Sequence, residues 1–358
     1  MKKILTKFIL FAVALICSVN LNAQGVNWET APLDQVIAKA KKTDKLVFID
    51  CFTSWCAPCK WMAANVFPTK EAGDYFNKYF VCAKYDVEKD ENGKAVREKY
   101  GIKAFPTFII VDCNGKEIGR VLGKHELAEF IEIINIVKDK DFSPKALEDK
   151  VKETGEIKYL YEYIELMKKI DGHDFTGDAF NGHWNEISEY GKYNPKNIVY
   201  FPRAIQFRKP VVFNYILDNK SKYDNKYGKA VIDNALVNGI AEELGYYYAA
   251  PTMYNTNTIK LETFERAYYF LNVIASDRLY TQILAKAVMA QYTGDNTELI
   301  KTLDAKTLSG YMCGRELIRI NMMIKNMNVP QEVKDKFEQD LKDYFANALK
   351  SLDGSNKR

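Results

Sequence analysis

Residues 46–60 read LVFIDCFTSWCAPCK. Leu46–Cys51 is a short apolar run of strand formers, the pattern of a buried strand. Cys56 to about Val66 is expected to be helical, ending before Pro68. The six residues Trp55-Cys56-Ala57-Pro58-Cys59-Lys60 therefore sit where a strand passes into a helix. That position has chemical consequences. A helix N-terminus carries partial positive charge and unpaired N–H groups, and a cysteine there is favoured as thiolate, its nucleophilic form. Cys56, first in the helix, is the expected attacking thiol. Cys59 lies three residues on, on the same face, and can resolve a mixed disulfide. Pro58 in the first turn costs no helical hydrogen bond. A zinc site would need a second C-x-x-C or paired histidines. Neither occurs, and His125, His173 and His183 are scattered. A purely structural disulfide is the plain alternative to redox exchange.

Outward from this stretch the periodicities alternate. Pro32–Lys42 shows one apolar helical face (Leu33, Val36, Ile37, Ala40), with proline in its first turn. Lys70–Tyr79 and Glu91–Tyr100 read as helices, the second closed by Gly101. Phe80–Val87, Thr107–Val111 and Glu117–Leu122 read as strands, and Asn114-Gly115 marks a hairpin between the last two. Glu126–Val137 is a final amphipathic helix. The order α, β, α, α, β, α, β, β, α gives an α/β domain with a central mixed sheet flanked by helices.

Two stretches carry a family resemblance. Leu46–Lys60 resembles the active-site strand and helix of thioredoxin, and Tyr100–Val111 (YGIKAFPTFIIV) resembles its second signature, in the same order and spacing. Asn114-Gly115-Lys116 with Gly119 completes the terminal hairpin. The pattern of Trp61–Phe67 and Phe76–Phe80 is similar to the exported reductase branch and to the thioredoxin-like end of transmembrane thiol-disulfide interchange reductases. The resemblance covers residues 24–140 and implies roles. Asp50, six residues before Cys56, would be the buried acid that takes a proton, through water, from Cys59, and burial would raise its pKa. Phe105-Pro106-Thr107 would form the substrate platform, with Pro106 cis and the neighbouring backbone pairing with an extended client segment. Trp55 would pack over the site. Lys60 would add positive charge or stand as solvated surface. Two departures stand out. Ala57 replaces the usual glycine, which bears on the reduction potential, and Phe105 is a bulky residue before the proline, which reshapes the groove.

The seven cysteines are Cys17, Cys51, Cys56, Cys59, Cys82, Cys113 and Cys313. Cys51, Cys82 and Cys113 fall on expected strands and read as buried small apolar groups. Cys313 reads as a free thiol. The chain begins with Lys2 and Lys3, an apolar run Phe8–Val19, and Leu21-Asn22-Ala23. This is the pattern of a cleaved signal peptide over 1–23, and it points to the periplasm. Loss of three leader lysines takes the formal net charge from +4 to +1, which is no footprint for nucleic acid. No later segment is long and apolar enough to span a bilayer, so membrane contact after cleavage is expected to be peripheral or nil.

Lys138–Lys145 (KDKDFSPK) reads as a linker. Residues 141–358 read as a mostly α domain, helical at Ile157–Ile170, Ala230–Leu244, Leu261–Ile274, Gln282–Gln291, Arg315–Met327 and Gln331–Leu352. It is tyrosine-rich and shows no triad, phosphate loop or metal cluster. Client selection or docking is its expected task. The whole reads as a periplasmic thiol-disulfide oxidoreductase that reduces client-protein disulfides, with no cofactor and no metal, re-reduced by a membrane electron donor. A disulfide oxidase or isomerase, and a binding module in which the helical half recognises a partner, are the alternatives.

Overall fold

The computed structural model describes residues 25–171, 174–249 and 259–355. The leader expected over 1–23 lies outside them. The described residues form two compact units. One takes them up to Lys150 and resumes at Glu165 to the end of that helix. The other takes Val151–Ile164 and the residues from Asp174 onward.

The first unit is a five-stranded sheet built in the order β1 (Trp28–Glu29), α1 (Leu33–Thr43), β2 (Leu46–Phe52), α2 (Ala57–Asn65), α3 (Lys70–Tyr79), β3 (Phe80–Asp86), α4 (Glu91–Tyr100), β4 (Thr107–Val111), β5 (Glu117–Leu122) and α5 (Leu127–Val137). Strand order is β1-β3-β2-β4-β5. β1 and β2 run parallel to β3, and β4 is antiparallel to β2 and β5. The mixed sheet is thus as expected. β1 had no signal of its own, because two residues are too few to show alternation. Local chemistry sets the boundaries. Thr69 caps α3, its hydroxyl accepting from Ala72 N at 3.2 Å. Gly101 closes α4 at φ 62°, a left-handed conformation that glycine adopts without a Cβ clash. In the β4–β5 turn Asp112 Oδ1 accepts from Asn114 N and Lys116 N, both at 2.8 Å.

Side chains alternate across the sheet. Val47, Ile49, Cys51, Val81, Tyr85, Ile109 and Val111 share one face with Val36 and Ala40 of α1 and Val96 of α4. Phe48, Cys82, Phe108 and Ile110 share the other with Met62 of α2, Phe76 of α3 and Phe130 of α5. Phe48 lies nearly parallel to Phe108 at 5.7 Å, and Phe108 meets Phe130 edge-on at 4.7 Å. Asp50 belongs to this second face by register, opposite Phe108 on β4 and Lys84 on β3.

Three expectations are corrected. The stretch expected as a linker contains the start of a helix, Pro144–Thr154. Ser143 accepts from Ala146 N at 3.2 Å, so Ser-Pro here is a helix start, cap then first-turn proline. Cys113 sits in the β4–β5 turn, half-buried, and not on a strand. The first unit also extends beyond residue 140, because Ile170 is part of its core and Leu166 packs on it.

The second unit is all helix among its described residues. Every helix expected there occurs, with a π-helical turn, Phe270–Ile274, ending the one that starts at Leu261. Further helices appear at Thr176–His183, Asn197–Ala204, Val211–Asp218 and Lys220–Tyr227. These are eight residues each, too short for a 3.6-residue period to stand out. Buried polar side chains tie their ends. Asn181 donates to Gly177 O and Ala204 O and accepts from Val212 N. Asn197 donates to Gly191 O and Lys192 O and accepts from the Tyr161 hydroxyl. Tyr161, Tyr247 and Tyr248 are core residues, whereas Tyr246 and Tyr269 are more than half exposed.

Candidate active site

β2 ends at Phe52, three residues turn the chain, and α2 begins at Ala57. Cys56 is the N-cap, one position before the first helical residue. Its Sγ is bonded to that of Cys59 at 1.99 Å, with the two Cα atoms 5.3 Å apart. Cys56 Sγ also accepts from Cys59 N at 3.1 Å, so the sulfur takes one of the helix's unpaired N–H groups. Pro58, in the first turn, brings no N–H of its own. This stabilises negative charge on Cys56 and not on Cys59, whose sulfur lies one turn inside. Both cysteines are nearly covered, at 2% and 6% exposure, while Ala57, Pro58 and Lys60 are exposed.

Pro106 is cis to Phe105, as the resemblance implied. It is buried, and the Thr107 hydroxyl donates to Ala104 O at 2.7 Å, fastening the loop that carries it. Trp55 meets Phe105 edge-on, ring centroids 5.9 Å apart. The indole is 65% exposed, so it stands beside the sulfurs as a rim and not as a lid.

Asp50 is buried, and its Oδ1 has no hydrogen-bond partner. Burial pushes its carboxyl up to about 7, against the opposing pull of the Lys84 ammonium. Asp50 and Lys84 line a cleft of about 440 Å³, together with Ala63 of α2 and Phe67 just beyond it. An acid on the active-site helix's side of the sheet, at the wall of an open cleft and half-ionised near neutrality, is equipped to pass protons to and from water. Cys51 and Cys82 are different. Burial drives both thiols far above the ordinary range, so they are inert packing groups.

Sequence reading missed Lys84, Glu88 and Arg97. Lys84 had a visible signal, one lysine inside the apolar strand Phe80–Asp86. Glu88 accepts from Trp55 Nε1 at 2.7 Å and pairs with Arg97 at 3.5 Å. Both sit in a charged stretch that reads as ordinary surface.

A family model described as a thioredoxin-like domain matches residues 33–138. A thioredoxin of Echinococcus granulosus is 40% identical over 87 residues, 24% of this chain and 74% of that protein. The chain belongs to the thioredoxin family. An H-type thioredoxin of Oryza sativa subsp. indica is 38% identical over 90 residues, 25% of this chain and 67% of that protein. Among solved structures, a candidate disulphide-isomerase from Bacteroides thetaiotaomicron is 35% identical, covering 32% of this chain and 93% of that one, with a TM-score of 0.30. Residues 151–358 lie beyond the family match. This thioredoxin-family chain is a thiol-disulfide oxidoreductase whose redox pair is Cys56–Cys59.

Proposed function

We propose that the protein is a periplasmic reductase of client-protein disulfides. The observation that carries the direction is Asp50. With its carboxyl near 7, Asp50 holds or accepts a proton at working pH, which the resolving step needs. The Cys56 thiolate attacks one sulfur of a client disulfide; that S–S bond breaks and the client's other sulfur leaves as a thiolate. Asp50 then takes the proton of the Cys59 thiol through water. The Cys59 thiolate attacks Cys56 Sγ, forms the Cys56–Cys59 disulfide and releases the second client thiolate. The client gains two electrons and the protein loses two. A dithiol donor on the membrane would return them. The client segment would lie extended beside Pro106, pairing with the backbone next to it. The leader-like residues 1–23 support the compartment.

The test is the reduction potential of the Cys56–Cys59 pair, by equilibration of the full chain with dithiothreitol or glutathione buffers. A value near about −270 mV is expected for a reductase, while one near about −120 mV would mean that disulfides are delivered and not removed. Periplasmic fractionation of the tagged chain checks the compartment, and retention in the cytoplasm would overturn it.

A further inference from the structure

Four side chains close a ring beside the redox pair. Trp55 Nε1 donates to Glu88 Oε2 at 2.7 Å. Glu88 Oε1 faces Arg97 Nη1 at 3.5 Å. The Arg97 guanidinium lies over the Phe105 ring, 5.5 Å from its centroid. Phe105 returns edge-on to Trp55 at 5.9 Å and 86°. Trp55 is the residue before Cys56, and Phe105 is the residue before Pro106. The ring therefore ties the segment that carries the nucleophile to the segment that carries the cis-proline. Arg97, on α4, contacts Phe105 directly and reaches Trp55 only through Glu88.

The loop that presents Glu88 is itself fixed. Asp86 Oδ1 accepts from Glu88 N and Lys89 N, both at 3.1 Å. Glu88 and Arg97 also line a second cleft of about 510 Å³, with Lys94, Glu98 and Lys103 among others. The ring thus joins two aromatic side chains to the charged residues of this cleft.

Building on the exchange reading above, we propose that Arg97 is a positioning residue for client binding. It holds Phe105 against Trp55 and keeps Glu88 oriented to receive the indole N–H. The two rings then form a fixed aromatic wall next to Pro106. A client segment lying extended there would place the side chain flanking its cysteine against this wall, so the preferred clients carry an apolar or aromatic residue at that position. Without Arg97, Phe105 loses the guanidinium over its face and Glu88 loses its ion-pair partner, so the wall is held less firmly and part of its ordering falls to client binding. That ordering weakens binding and leaves the sulfur chemistry alone.

Each link in the ring is partly exposed and weak, so Arg97→Ala should leave the fold intact. The experiment follows dithiothreitol-driven reduction of insulin and of hydroxyethyl disulfide by the full chain. Arg97→Ala should raise KM for insulin about three- to ten-fold, hold kcat within about two-fold, and leave the small disulfide's rate unchanged. Arg97→Lys, which keeps the charge, should recover part of the loss, and adding Arg97→Ala to Phe105→Ala should cost less than Arg97→Ala does alone. The Trp55 indole N–H resonance, assigned by its disappearance in Trp55→Phe, should shift in Arg97→Ala. An unmoved resonance with unchanged KM overturns the proposal. So does an equal loss on both substrates, which would place Arg97's effect on sulfur reactivity. A wild-type chain that reduces neither substrate would refute the reductase reading instead, and the indole resonance would still decide whether Arg97 positions Trp55.

Discussion

Buried polar side chains mean different things in the two units. In the helical unit Asn181 and Asn197 are each satisfied on both ends of the amide by at least three partners, and Glu243 accepts from Phe207 N and the Tyr247 hydroxyl. These groups splice helix ends together. In the α/β unit Asp50 sits in an aromatic layer with an unpartnered Oδ1 and a carboxyl pushed up to about 7. A satisfied buried amide contributes to one fold and to its specificity. An unsatisfied buried acid destabilises the fold when ionised, and the raised carboxyl is what the proton transfer proposed above requires. Burial alone does not separate structure from function at these positions.

The sharpest break of this contrast is at the sulfurs. Cys56→Ser should drop insulin reduction to the uncatalysed background while leaving thermal unfolding of the reduced chain unchanged. Residual turnover above background would put the chemistry elsewhere.

Next is Asp50→Asn. The wild-type carboxyl is raised from an unfolded value of about 3.9 to about 7 when folded. The neutral form is therefore the one the fold favours. Its stabilising contribution is complete below about pH 4 and is lost as pH climbs through 7. Urea unfolding at pH 8 should find Asp50→Asn more stable than wild type by about 4 kcal/mol, and equal to it at pH 4. Insulin reduction should slow at the same time. A variant that is less stable at pH 8 would make Asp50 a structural group like the asparagines.

Asn181→Ala should act in the opposite sense. Removing an amide with three backbone partners leaves buried groups unpaired and should cost about 2–4 kcal/mol. That loss should be flat between pH 5 and 8, without change in the redox pair's potential. A pH-dependent loss would erase the distinction drawn here.

The smallest effect is expected from Glu88→Gln. It keeps an acceptor for the Trp55 indole and weakens the exposed pair with Arg97, so stability should move by under about 1 kcal/mol. A larger change would show that the rim carries the fold as well as the site.

Most of the α/β unit was legible in the sequence. Lys70–Tyr79, Glu91–Tyr100, Thr107–Val111 and Glu117–Leu122 occur at the expected boundaries, because caps, turns and alternation there are local signals. The helical unit was less legible. Helices of eight residues, such as Val211–Asp218, are held by contacts to distant backbone and not by their own periodicity. At the site, the Cys56 and Cys59 sulfurs meet as their spacing demands. Glu88 and Arg97 gave no sign, since a glutamate thirty-three residues from Trp55 is one surface acid among many until the chain folds.

What the sequence determined by itself is the redox chemistry's address. Two cysteines separated by Ala-Pro at a strand-to-helix junction suffice to bring the sulfurs together and to place one on a helix N-terminus, because every interaction involved spans only a few residues. The tertiary structure decided how that address works. Asp50 has its raised pKa because the folded sheet and the elements packed on it bury the carboxyl at the wall of a cleft. Phe105 meets Trp55 where α4 brings Arg97 over Phe105 and beside Glu88, the partner of the Trp55 indole. Desolvation and ring packing are sums over groups far apart in the chain, and no local pattern of residues carries them.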